Sequence, residues 1–387
     1  MRPSPSGPRD PAPDERPKPL PALRRRFRGC LLGGAVGDAL GAPVEFMSLA
    51  EIRAQFGRAG ITELTTAFDR KGAITDDTQM TLFTAEGLLR AYVQTGGRDV
   101  RAVLAAVAHA YTRWLRTQGV VPAVADTDAD GWLYEQRELH AQRVPGATCI
   151  SALQHMATLG QRAVNDSKGC GGVMRVAPVG LWCARLDDGV SPERVARKAL
   201  ELGAEAAGLT HGHPTGRLAA GAFASLVALL VRDVALPEAV VRVRTLVARY
   251  PGHAETLNAI DRAQALARSG DALRPEGIVS LGEGWVAEEA LAIALAAALA
   301  APDFETGVRL AVNHDGDSDS TAAIAGNILG ALHGLDAIPQ RWTAGLEARR
   351  VIAEMADDLA TFPEWPLGEF VAETDLSDYY RRRYPPS

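Results

Sequence analysis

What this sequence lacks narrows its function before any motif is read. It has no basic excess: 41 Lys and Arg stand against 47 Asp and Glu, a formal charge of -6 with a pI near 5.8. Nucleic-acid-binding domains usually carry a clustered surplus of Lys and Arg, so a nucleic-acid partner is not expected. Cysteine is scarce too. Cys30, Cys149, Cys170 and Cys183 lie far apart with no Cys-x-x-Cys pair, which disfavours a zinc site or a disulfide framework and fits a reducing cytoplasm. The longest apolar run, Ala290 to Ala301, is mostly alanine and too short to cross a bilayer. Strand-type alternation is almost absent, and no repeat of roughly 20 to 50 residues is found.

What is there is a chain of 387 residues, 47% apolar and 23% charged, the composition of a soluble globular protein with one large core or two ordinary ones. Its first 21 residues hold eight prolines among charges and no apolar segment, so residues 1–22 read as a solvated tail, not a signal peptide. Arg24-Arg-Arg-Phe-Arg28 reads as the exposed start of a first helix, whose small and apolar residues run on until near Asp38. Ser48-Leu-Ala-Glu51 has the capping-box pattern, which predicts a short helix to about Phe56. Helical patterns follow near 75–90, 99–116, 148–160, 192–209, 214–232, 237–250, 253–268, 283–300, 303–312, 319–332, 338–346 and 349–360. The expectation is one all-α domain, a compact orthogonal bundle of about a dozen helices over residues 23–365, with a C-terminal extension over 366–387.

Two acidic helix starts stand out. Thr75-Asp-Asp-Thr78 opens one; Asp315, Asp317 and Asp319, followed by Ser320, open another whose continuation is rich in Ala and Gly. Carboxylates crowded before a helix suited to burial repel one another unless a cation joins them. Hard divalent ions want oxygen ligands, and these carboxylates and hydroxyls supply them at short spacing. The competing reading is two ordinary helix N-termini, capped by Ser, Thr or Asp and favoured by the helix dipole.

Other features are weaker alone. The loop Gly169-Cys-Gly-Gly172 offers backbone N–H groups to a phosphate, yet a turn between helices explains it equally; Lys168 and Arg175 are candidate anion contacts, with Arg175 equally suited to a structural role bonded to carbonyls. In Thr210-His-Gly-His-Pro214, His211 suits a polar substrate contact, against an ordinary cap and turn. Glu45 follows Pro43, which fixes the local backbone, and can serve as acid or base. Trp285 lies beside Gly282 and Gly284, but a core tryptophan is the better expectation. No nearby histidine pattern marks Cys149 or Cys170 as a nucleophile.

Taken in order, five blocks resemble the ADP-ribosylglycohydrolases, a family of all-α dinuclear magnesium or manganese enzymes. They are Gly29 to Gly41, Thr75 to Thr78, Gly169 to Pro178, Thr210 to Pro214 and Gly316 to Gly326. The resemblance implies hydrolysis of the bond joining C1 of the distal ribose of ADP-ribose to an acceptor, arginine being slightly favoured. It implies two Mg2+ or Mn2+ held by Thr75, Asp76, Asp77, Asp317, Asp319 and Ser320, the last standing where many members have threonine. Glu45, Asp77 and Asp317 become the catalytic candidates. Gly169, Cys170, Gly171, Gly172, Met174 and His211 become the substrate contacts. Asp315 adds charge behind the ligands. The expected partner is an ADP-ribosylated protein or small molecule, an ADP-ribosylated base remaining open, and the expected state is a monomer without membrane attachment. Two other readings compete: an inactive ADP-ribose-binding or crystallin-like relative, and a dinuclear-metal phosphoesterase.

Overall fold

The computed structural model describes residues 21–124, 129–187, 189–367 and 374–386. The proline-rich tail lies outside them, apart from its last two residues. Among the described residues the regular structure is helical except for one two-stranded antiparallel ribbon, β1 (Thr66–Ala67) paired with β2 (Arg70–Lys71).

The helices follow their signals. The first, α1 (Pro21–Gly41), continues through Asp38, because Asp38 turns inward and is fully buried instead of ending the helix in solvent. Next, α2 (Leu49–Phe56) carries the full capping box: the Ser48 side chain accepts from Glu51 N–H while Glu51 accepts from Ser48 N–H at 2.8 Å. The Thr75 hydroxyl caps α3 (Asp76–Thr95) by accepting from Asp77 N–H, and Asp99 caps α4 (Val100–Thr117). After α5 (Ala147–Gln154) the chain leaves helical form, six residues short of the expected end at 160. Pro178 sits in the first turn of α6 (Ala177–Leu186), a helix not anticipated because its run is short and apolar up to Arg185, without period.

The long helices α7 (Pro192–Gly208) and α8 (Pro214–Leu230) both start on proline, where a missing N–H costs nothing. They are followed by α9 (Leu236–Val247), α10 (Ala254–Ser269), the single turn α11 (Pro275–Val279) and α12 (Ala287–Ala300). Then come α13 (Phe304–Val312), α14 (Ser318–His333), α15 (Gln340–Ala344) and α16 (Arg349–Thr361). The C-terminal α17 (Asp375–Arg383) folds back on α16: Arg383 pairs with Asp358 at 2.7 Å, and Tyr380 stacks on Trp365 with ring centroids 3.9 Å apart. Seventeen α-helices are thus present among the described residues, where about a dozen were expected; α6, the single turn α11 and α17 are the ones the sequence pattern does not mark.

One contact positions everything that follows. Helices α1 and α14 cross so closely that a Cβ on Gly33 would lie 2.4 Å from the carbonyl oxygen of Gly326, and one on Gly37 would lie 2.0 Å from that of Ala322. Glycine at both helices lets backbone meet backbone. The crossing draws Gly41 against Asp319 and sets the last turn of α1 beside the first turn of α14. A buried ion cluster holds α3 to α4: Glu86 accepts from Arg90 and from Arg113, the latter at 2.8 Å, with all three side chains fully buried. No helix among the described residues is long and apolar enough to cross a membrane.

Candidate active site

The two acidic helix starts meet. Asp317 and Asp319, from the start of α14, line one pocket with Asp76 and Asp77 from the start of α3, and Asp319 lies near enough to raise both Asp76 and Asp77. Thr75, Asp76, Asp77, Asp317, Asp319 and Ser320 are each at most 5% exposed. The pocket has a volume of about 320 Å³. Glu45, half-buried on the turn after α1, lines the same pocket.

Sequence reasoning missed Asp38, which organises this end of α3. Its carboxylate accepts from Thr75 N–H at 3.0 Å, from Thr78 N–H at 3.1 Å and from the Thr78 hydroxyl. A buried acid in an otherwise apolar helix, between Gly37 and Ala39, was the available signal.

The electrostatics follow from crowding. Burial first, then Asp319, pushes Asp38 up to about 7. Burial pushes Asp76 up to about 8 even though Gly146 N–H donates to it at 3.1 Å. Asp77 and Asp317 are raised well above the usual carboxylate range, by burial and then by Asp319. Glu45 is pushed to about 10 by burial and by Asp319, Asp317, Asp76 and Asp38 in turn. No lysine or arginine lines the pocket to offset them.

The donors fit a hard divalent cation. They are carboxylates and hydroxyls only, and Oδ1 of Asp77 is buried without a hydrogen-bond partner, a state that costs free energy unless a positive group completes it. Among the described residues no three His, Cys, Asp or Glu side chains are already gathered into a cation cage; the donors ring the pocket instead. Asp315 stands apart from them, half-buried, accepting from Leu49 N–H at 2.6 Å at the start of α2.

The glycine-rich loop forms the third wall. Gly169, Cys170, Gly171 and Met174 line the pocket, while Gly172 sits behind, packed against Ala207 and the His211 ring. The N–H groups of Gly169 and Cys170 are already engaged, with Ser167 Oγ at 3.4 Å and Trp285 O at 3.0 Å, so a phosphate contact falls to the rest of the loop. His211 reaches the pocket with its Nδ1 2.8 Å from the Thr210 hydroxyl; burial and then Arg175 push it down to about 3, so it is neutral.

Two expectations, on Lys168 and Trp285, need correction, and the choice left open for Arg175 falls on the structural role. Lys168 is not free for an anion: its ammonium pairs with Glu255 at 2.9 Å and with Glu288. Arg175 is fully buried, bonded to the Thr210 hydroxyl at 2.6 Å and to Cys149 Sγ at 3.1 Å, with Tyr111 beneath its guanidinium. Trp285 is not a core tryptophan; it lines the pocket, half-buried, stacked against Phe46. The flanking Gly284, at φ +85, turns the chain so that the indole faces inward.

An all-helical protein with an acidic pocket built from two helix starts, lined also by a glycine loop and a buried histidine, has the makings of a small-ligand site. Similar proteins give it a family. Residues 19–366 match the family model for ADP-ribosylglycohydrolase. The chain is 31% identical to a protein of uncharacterised activity from Archaeoglobus fulgidus, over 87% of this chain and 96% of that one. It is 27% identical to the ADP-ribosyl-[dinitrogen reductase] glycohydrolase of Rhodospirillum rubrum, over 88% and 97%. It is 24% identical to the ADP-ribosylarginine hydrolase Tri1 of Pseudomonas putida, over 86% and 77%. A solved structure of an ADP-ribosylglycohydrolase-related protein complex superposes with a TM-score of 0.62 at 27% identity, covering 89% of this chain and 99% of that one. The chain belongs to the ADP-ribosylglycohydrolase family and is a glycosidase of that family.

Proposed function

We propose that this enzyme releases ADP-ribose from an ADP-ribosylated acceptor by cleaving the C1 glycosidic bond of the distal ribose, with two divalent cations, Mg2+ or Mn2+, in the acidic pocket. The observation that carries it is the convergence of the two acidic helix starts on one pocket, with Asp77 Oδ1 left unpartnered there. Four aspartates bring about four negative charges, which two divalent ions neutralise. When bound, such ions polarise the substrate and activate water at neutral pH.

The chain's own residues do the rest. Thr75, Asp76, Asp77, Asp317, Asp319 and Ser320 are the oxygen ligands. Glu45, lining the same pocket, moves the proton between water and the leaving acceptor. The glycine loop and neutral His211 flank the ribose and pyrophosphate, and the adjoining cavity of about 580 Å³, which shares Ala147 and Thr148 with the pocket, has room for the adenosine end. The named relatives act on ADP-ribosylated dinitrogen reductase and on ADP-ribosylarginine, which supports a protein acceptor linked through arginine.

The test is turnover of an ADP-ribosylated peptide with added magnesium by the wild type and by Asp77→Ala and Asp317→Ala. Hydrolysis should vanish in both variants while circular dichroism shows the fold retained; undiminished turnover in either counts against the assignment. The product distinguishes the chemistry: free ADP-ribose means glycosidic cleavage, whereas AMP means a phosphoesterase.

A further inference from the structure

Phe46 is the odd residue of the pocket. It is 62% exposed and holds φ at +69, a left-handed conformation unfavourable for a bulky side chain. Two backbone bonds keep it there: Phe46 N–H donates to Gly316 O at 3.2 Å, and Gly316 N–H donates to Met47 O at 3.1 Å. The ring is thereby laid flat on Trp285, with centroids 5.1 Å apart and planes at 23°. Both rings line the pocket beside Glu45. The loop bearing Trp285 also carries the exposed Glu283, and both residues pack against Gly316, where a Cβ would lie 2.8 Å from Glu283 Cβ and 3.0 Å from Trp285 Nε1.

We propose that the Phe46–Trp285 pair selects the acceptor of the substrate, a planar cation of the guanidinium type, a reading that rests on the glycohydrolase assignment of this pocket. The charges favour that occupant. Two divalent cations balance the four aspartates; the exposed Glu283, on the loop that carries Trp285, has no salt-bridge partner among the described residues, and no lysine or arginine lines the pocket. A guanidinium is flat, delocalised and weakly hydrated, so it stacks on an aromatic face while a carboxylate draws its charge. A hydroxyl-linked acceptor has neither property. Adenine would stack as well, but the adenosine end has the wider cavity beyond Thr148.

The test compares the KM for an arginine-ADP-ribosylated peptide with the inhibition constant of free ADP-ribose, which has no acceptor. The proteins are full-length wild type, Phe46→Ala, Phe46→Tyr and Phe46→Gly, the last of which accepts the positive φ and guards against misfolding. Loss of the ring should raise KM about tenfold, within the range of an exposed to partly desolvated cation–π contact, with a smaller effect on kcat. ADP-ribose inhibition should not change, and Phe46→Tyr should restore KM. A parallel weakening of ADP-ribose inhibition would place adenine on the rings and overturn the proposal, as would an unchanged KM. Wild type that cleaves another linkage but not arginine also overturns it. Wild type that frees ADP-ribose from no linkage sinks the glycohydrolase reading itself, and this one with it.

Discussion

The thiol of Cys170 stands 2.7 Å from Oδ2 of Asp317, joining the glycine-rich loop to the start of a helix 147 residues later. Burial and the neighbouring Asp317 push the thiol well above its ordinary range, so it stays protonated and donates. Ser320 Oγ in turn reaches Cys170 Sγ at 3.7 Å. The loop therefore orients the proposed acidic ligand Asp317 as well as lining the pocket.

Removing that donor should loosen the site without emptying it. Cys170→Ala is expected to lower Mn2+ affinity by roughly 10- to 100-fold, the usual effect of losing a hydrogen bond behind a metal ligand, whereas Cys170→Ser should stay near wild type. Calorimetric titration of the three proteins measures this. Equal affinities throughout would make the contact incidental.

How much of this was legible in the sequence depends on the range of each interaction. The capping box at Ser48 and Glu51, the Thr75 cap and the proline starts of α7 and α8 are local, and they appear where the residues predict them. The pairing of the two acidic helix starts is not local; it follows from the glycine-to-glycine crossing of α1 and α14, which the glycines suggest but whose partner they cannot name. Asp38 was read as a helix end because a carboxylate in an apolar run usually faces water, and its partners at Thr75 and Thr78 lie on another helix. Phe46 and Trp285 carry no mark of exposure in their letters. Lys168 could be assigned an anion only while Glu255 and Glu288, far along the chain, were unknown as its partners.

The crossing itself can be tested. Gly37→Ala puts a methyl 2.0 Å from a backbone oxygen that no side-chain rotation can move, so α1 and α14 must part. Stability should fall by about 1–3 kcal/mol or more, the range for overpacked cores, measured by urea unfolding. Metal affinity should fall too, since the same crossing sets Gly41 against Asp319. A variant as stable as wild type would show that the crossing tolerates wider spacing.

His109, on α4, gives the acid limb of the stability profile. It is 4% exposed, and neither ring nitrogen has a hydrogen-bond partner among the described residues. Burial first, then Arg113 and Arg90, push it down to about 4. Because its folded value lies below the ordinary one near 6.5, the unfolded chain takes up a proton that the folded chain refuses. Stability is therefore lost as pH falls from about 6.5 towards 4. His109→Phe should make that limb shallower, the buried His211 and His314 keeping the rest of it, and, by removing an unsatisfied buried polar ring, raise stability at pH 7 by roughly 1–2 kcal/mol. Denaturant midpoints at several pH values from 7 down to 4.5 decide it; the same slope in both proteins would assign the acid loss elsewhere.

Asp38 makes the last prediction, because its role is to accept. Its carboxylate holds the first turn of α3 by taking the N–H groups of Thr75 and Thr78, and it does so buried and beside Asp319, both of which push its titration up. Asp38→Asn keeps an acceptor and removes one of the crowded charges, so it should fold within about 1 kcal/mol of wild type. Asp38→Ala leaves two buried donors unpaired, at about 1–3 kcal/mol each, and frees Thr75 and Asp77 to drift from Asp319. That variant should lose roughly 2–4 kcal/mol in urea unfolding and most of its metal affinity. If alanine and asparagine behave alike, hydrogen-bond acceptance by Asp38 does not align the site, and the position of α3 must rest on packing alone.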